Sequence, residues 1–137
     1  QSPAGAIGYR GPGGESHGLT SGGVLAFQMW GKGKSKVARL GIKNIDKNAA
    51  FKWGEPSANL YYHYYNAQVM INNGGTQWKK YNKMFRDELL KAQAEDGSWP
   101  MGAKIPHGSV NTHMKTCLAT MMLEVYYRFL PATAASL

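Results

Sequence analysis

The sequence predicts an all-α fold of about five helices arranged as helical hairpins. Three observations predict it. Apolar residues recur at helical spacing in five segments separated by turns rich in Gly, Pro and Ser. Segments that are apolar almost all round alternate with segments that carry one cationic face. A glycine-aromatic stop returns at Gly8-Tyr9, at Trp53-Gly54 and at Gly97-Ser98-Trp99, a repeat of about 45 residues that lies in the range of helical-pair repeats.

The first helix is expected from about Thr20 to Trp30, capped by Thr20 or Ser21. Val24, Leu25, Ala26, Phe27, Met29 and Trp30 cover nearly its whole circumference, so it should be buried. The second, Lys34 to about Asn48, places Val37, Leu40, Gly41 and Ile45 on one face. Lys34, Lys36, Arg39, Lys43 and Lys47 occupy the rest. The third is expected from Ala58 to Asn72, capped by Ser57 and stopped by Asn73-Gly74-Gly75. The fourth, Gln77 to about Glu95, repeats the amphipathic pattern, with Trp78, Tyr81, Phe85, Leu89 and Ala92 opposite Lys79, Lys80, Lys83, Arg86 and Lys91. The fifth runs from His113 to Leu130, with Met114, Cys117, Leu118, Met121, Met122, Val125, Tyr126 and Phe129 at helical spacing, and stops at Pro131. Buried helices alternating with half-wet ones are what a two-layer ring of hairpins writes into a sequence. A compact five-helix bundle is the alternative, and the repeat period favours the ring.

Size and composition agree with one folded domain: 137 residues, 43% apolar and 12% aromatic. The organisation expected is a Gly-rich lead-in from a preceding repeat over 1–18, a repeat domain over 19–131 and a flexible tail over 132–137. Lys115, Glu124 and Arg128 interrupt the longest apolar run, which falls short of the roughly 20 apolar residues of a membrane span. The start at Gln1-Ser2-Pro3 has neither an initiator Met nor the pattern of a signal peptide, which suggests a piece of a longer polypeptide. With one cysteine, the compartment is undecided, and a secreted or periplasmic location is compatible. The net charge of +8 comes largely from the second and fourth helices and is read as a solvated face. Neither a nucleic-acid nor a membrane signal accompanies it. Gly11-Pro12-Gly13-Gly14 lacks the Gly-Lys-Ser/Thr of a phosphate loop.

The segment from Phe85 to Trp99, with Leu89, Leu90, Gln93 and the run Asp96-Gly97-Ser98-Trp99, resembles the QW motif of prenyltransferases and squalene cyclases. The resemblance implies part of an (α/α) toroid. It also implies that Gln93, Gly97 and Trp99 form the fastening at the end of an outer helix, tying neighbouring repeats together. Gly97 suits a left-handed turn, and Trp99 offers a large apolar face with one N–H to satisfy. About six hairpins close such a ring, so a chain of this length implies self-association or association with further toroid repeats.

The chemistry that the resemblance implies is not carried over. No Asp-x-Asp-Asp acid run is present, and Cys117 follows Lys115 rather than the aspartate of a prenyltransferase zinc site. No metal and no cofactor are expected, and Cys117 is read as a small core residue. Glu124 is the one carboxylate on an inner helix and the weak candidate for a proton donor, its simpler reading being an i,i+4 pair with Arg128. His17, His107 and His113 are candidates for a rim of the ring. Trp30, Tyr61, Tyr62, His63 and Tyr65 are candidates for lining a cavity that takes a hydrophobic ligand. The function expected is a non-catalytic or auxiliary toroid repeat module, a scaffold or binding surface. The alternative is a cyclase-like enzyme or helical-ring lyase whose acid lies outside the chain.

Overall fold

A computed structural model describes residues 1–11, 16–100 and 112–128. Among them the chain is all-helical: α1 His17–Met29, α2 Lys36–Asn48, α3 Leu60–Asn73, α4 Gly75–Ala92, α5 Thr112–Leu123 and the single turn α6 Val125–Arg128. These are the five expected helices, with the last one divided.

Local chemistry sets the boundaries. Ser16 caps α1 by accepting from the Leu19 N–H, so the helix starts three residues before the expected Thr20. Thr20 is left to hold the chain's N-terminal segment, its Oγ1 accepting from the Ile7 N–H at 2.9 Å. Ser35 caps α2 through the Ala38 N–H. On α3 the cap is Asn59 rather than Ser57, accepting from the Tyr62 N–H. Gly74, at φ +70°, ends α3 and starts α4 in one residue, a conformation that needs no Cβ penalty. Expected as one helix, α5 and α6 break at Glu124, where the Tyr127 N–H bonds back to the Glu124 carbonyl three residues earlier.

The helix α3 is the hub, packed against α1, α2, α4, α5 and α6. The odd-numbered helices α1, α3 and α5 adjoin in succession. Between and behind them the core gathers Val24 of α1, Ile42 and Ile45 of α2, Ala67, Val69 and Met70 of α3, Phe85 and Leu89 of α4, and Leu118 and Met122 of α5. Where α1 crosses α2, a Cβ on Gly41 would stand 2.2 Å from Val24 Cγ2, so only glycine permits that approach.

Two burial expectations are corrected. Helix α1 is not buried all round: its buried residues are Thr20, Ser21, Val24 and Gln28, while Met29 and Trp30 are 54% and 73% exposed. It packs on α2 and α3 over one side only, and hydrogen bonds allow polar residues to fill that side. On α5 the core face is Lys115, Leu118, Ala119 and Met122, leaving Cys117 exposed. Register explains it, since 115, 118, 119 and 122 share one stripe and 114, 117 and 121 another. Lys115 as a whole is 4% exposed.

The Gly97 fastening is built as a turn and an anchor. Gly97 takes φ +82°, its N–H bonds to the Ala94 carbonyl at 2.9 Å, and Gln93 Nε2 donates to the Gly97 carbonyl at 3.0 Å. Trp99 is 2% exposed. Its indole N–H donates to the Leu89 carbonyl on α4 at 2.8 Å, and its backbone N–H donates to Thr116 Oγ1 on α5 at 3.1 Å. Gln93 therefore closes its own turn, while Trp99 joins α4 to α5. The stop at Trp53-Gly54 is knitted to the same stretch of α4, the Trp53 N–H donating to Glu88 Oε2 at 3.0 Å.

Candidate functional site

Along one end of the α1–α3 contact the two helices leave a groove of about 1030 Å³, the scale of a small-molecule site. From α1 come His17, Gly18, Leu19, Gly22 and Gly23, and from α3 Tyr61, Tyr62 and Tyr65. Asn48 at the end of α2 and Ala50 just after it also line the groove, with Ser57 and Asn59 before α3. Helical spacing accounts for both walls. Residues 18 and 22 are one turn apart on α1, and 61 and 65 one turn apart on α3. A Cβ on Gly22 would meet nothing within 4 Å, and one on Gly18 would meet only ordinary contacts with Ser16 and Tyr61. Aromatic rings on one side, and on the other bare backbone at Gly18 and Gly22 flanked by His17 and Leu19, therefore define the opening.

The tyrosines form an aromatic wall. Tyr61 and Tyr65 lie edge to face at 5.2 Å between ring centroids, Tyr64 and Tyr65 at 5.1 Å, and His17 reaches Tyr62 at 5.3 Å. The hydrogen bond with Tyr61, with partial burial, pushes the Tyr65 hydroxyl up to about 12. Burial likewise raises Tyr62, although the Asn66 side chain opposes the shift. These hydroxyls stay protonated near neutral pH and serve as uncharged donors.

His63 belongs to the core and not to the cavity wall. It is fully buried, with Nε2 2.9 Å from the Ser57 carbonyl oxygen and Nδ1 2.6 Å from the Tyr81 hydroxyl. A carbonyl only accepts, so Nε2 carries the proton, Nδ1 accepts, and Tyr81 donates. Burial depresses this imidazole to about 4, keeping it neutral. Nearby, the Ser21 hydroxyl lies within reach of the His17 carbonyl, at 3.0 Å, and of the Asn66 side-chain oxygen. Having one proton, it serves one of them at a time.

Of the cavity candidates, then, Tyr61, Tyr62 and Tyr65 line the groove, His63 supports it from within, and Trp30 stands apart. Trp30 follows the last turn of α1, at the opposite end from His17, with Lys32 Nζ 4.5 Å from its ring centroid. Of the rim candidates, His17 lines the groove, and His107 lies outside the described residues. His113 is on exposed α5 surface, its Nε2 3.7 Å from Cys117 Sγ. Among the described residues no three His, Cys, Asp or Glu side chains gather as a metal site. Glu124 is exposed at the α5–α6 break and does not line the groove. The side chain of Arg128, its expected pair, lies outside the described residues.

Sequence reasoning missed the glycine wall, because Gly18 fell outside the helix expected from Thr20 and only that helix's apolar residues were read. The available signal was the spacing of Gly18 and Gly22, which strips one face of α1 of side chains. Groove and rim carry aromatic faces, uncharged donors and one exposed imidazole, and no carboxylate lines the groove among the described residues. Comparison with protein-family models, with curated proteins and with solved structures returns no match.

Proposed function

We propose that the chain is a repeat module of the (α/α)-toroid type that acts as a binding surface, and that its ligand-holding element is the α1–α3 groove. The observation that carries this reading is the groove itself: about 1030 Å³ of space walled by Tyr61, Tyr62 and Tyr65 and by side-chain-free α1 backbone at Gly18 and Gly22. Aromatic rings and bare backbone suit an apolar body, and the neutral tyrosine hydroxyls orient it. The toroid part of the reading draws on the resemblance at Gln93 to Trp99 and on the succession α1, α3, α5 with α2 and α4 between them in sequence.

The test is a titration of the full chain with decanol, a neutral apolar probe, followed by amide chemical shifts. Saturable shifts at Gly18 and Gly22 are expected, with a loss of roughly 10-fold or more in affinity for Gly22→Phe, which fills the opening. Circular dichroism of that variant should be unchanged. Shifts scattered over the surface, or a Gly22→Phe variant that binds equally well, would sink the reading.

A further inference from the structure

Beside the groove lies a second depression of about 560 Å³, and Ser16, His17 and Asn48 line both. Its character is different. Lys43 and Lys47, one turn apart on α2, line it together with Asn44, which lies between them. Among the described residues no carboxylate lines either depression. The nearest acid in sequence, Asp46, is committed elsewhere: its Oδ1 accepts from Lys80 Nζ at 2.9 Å and its Oδ2 from Gln77, both on α4. Among the described residues, that leaves no carboxylate lining the recess beside the two lysines. The positive end of the α1 dipole adds to the same field, because the first turn of α1 forms the ridge between the two recesses.

We infer that the natural ligand is an anionic amphiphile, with its apolar body in the tyrosine groove and a carboxylate or phosphate head over Ser16 and His17 toward Lys43 and Lys47. This inference rests on the groove being a binding site, as proposed above, and adds the chemistry of the head. The division of labour is physical. Tyrosine rings and glycine backbone supply contact area without charge, and the lysines supply long-range attraction that selects the sign of the head. A cationic amphiphile would meet the aromatic wall favourably but would be repelled by both lysines and by the helix end.

The experiment compares three probes of equal chain length on the full protein: decanol, decanoate and decyl phosphate. In about 20 mM salt, the better of the two anions should bind roughly 5-fold or more tightly than decanol, an advantage that shrinks toward 1 in about 0.5 M salt. Lys43→Gln combined with Lys47→Gln should abolish the advantage and leave decanol binding alone, since both side chains are exposed and outside the tyrosine groove. Preference between decanoate and decyl phosphate identifies the head. Equal binding of all three probes, or an anionic advantage that survives the double substitution, would overturn the inference while leaving the groove reading standing. If no probe binds, both fall. They fall as well if sedimentation shows a dimer that Gly22→Phe dissociates, because the groove then holds a second copy of the chain.

Discussion

The contact between α1 and α3 is sealed at one end and open at the other. At the sealed end Gln28, 5% exposed, donates from Nε2 to the Val69 carbonyl at 3.0 Å and accepts from Asn72 Nδ2 at 3.4 Å. At the open end Gly18 and Gly22 oppose Tyr61 and Tyr65, and no α1 side chain bridges the space at those two positions. Between them His63, Asn66 and Ser21 form a buried polar layer. The difference teaches that the same pair of helices builds core or cavity according to which α1 residues carry side chains. It also places beneath the groove a layer in which both His63 ring nitrogens are hydrogen-bonded while the buried Asn66 Nδ2 has no hydrogen-bond partner among the described residues.

The layer under the groove offers the largest effect. His63 has an ordinary value of 6.5 when unfolded and about 4 when folded, so between those limits the unfolded chain binds a proton that the folded chain refuses. Its contribution is whole above pH 6.5 and is lost as the pH falls toward 4, amounting to about 3 kcal/mol. Asp46, held below its usual range by Lys80, loses its contribution at lower pH than this window. Urea midpoints across the range should show the fall in the native chain and a flattened profile in His63→Gln. A native profile that is already flat would contradict a neutral, buried imidazole.

The sealed end comes next. Gln28→Ala removes two hydrogen bonds from a buried position and should cost about 1–3 kcal/mol, read as a lowered thermal midpoint. An unchanged midpoint would mean that the seal contributes nothing to stability. At the open end the sign reverses. Gly22→Ala adds a methyl group that meets nothing within 4 Å, and by restricting the unfolded backbone it should stabilise by about 0.5–1 kcal/mol. Destabilisation by that variant would show that the space opposite Tyr61 and Tyr65 is closed in solution.

Much of this was legible before the structure. Apolar periodicity placed all five helices, and the glycine stops predicted the turns at Gly74 and Gly97, where the backbone takes positive φ. Periodicity could not say which of two overlapping stripes faces inward, so Cys117 was expected inside although Lys115 is the residue that is buried. Nor could it separate neighbours on α3: Tyr62, His63 and Tyr65 are alike in sequence as aromatic members of one run. Only the placement of Tyr81 and the Ser57 carbonyl draws His63 into the core and leaves Tyr65 on the groove wall.

By itself, then, the sequence determined the helices, the wet faces of α2 and α4 and the turn chemistry at Gly97, because these follow from local sterics and short-range spacing. Tertiary structure decided where a cavity lies and what charge adjoins it. Gly22 of α1, Tyr65 of α3 and Lys47 of α2 are distant along the chain, and the two recesses they line adjoin because α1 crosses α2 closely at Gly41 and leans on α3 at Gln28. Helical period carries no information about which helix a bare face will meet, and at this site that choice separates a packed interface from an open groove.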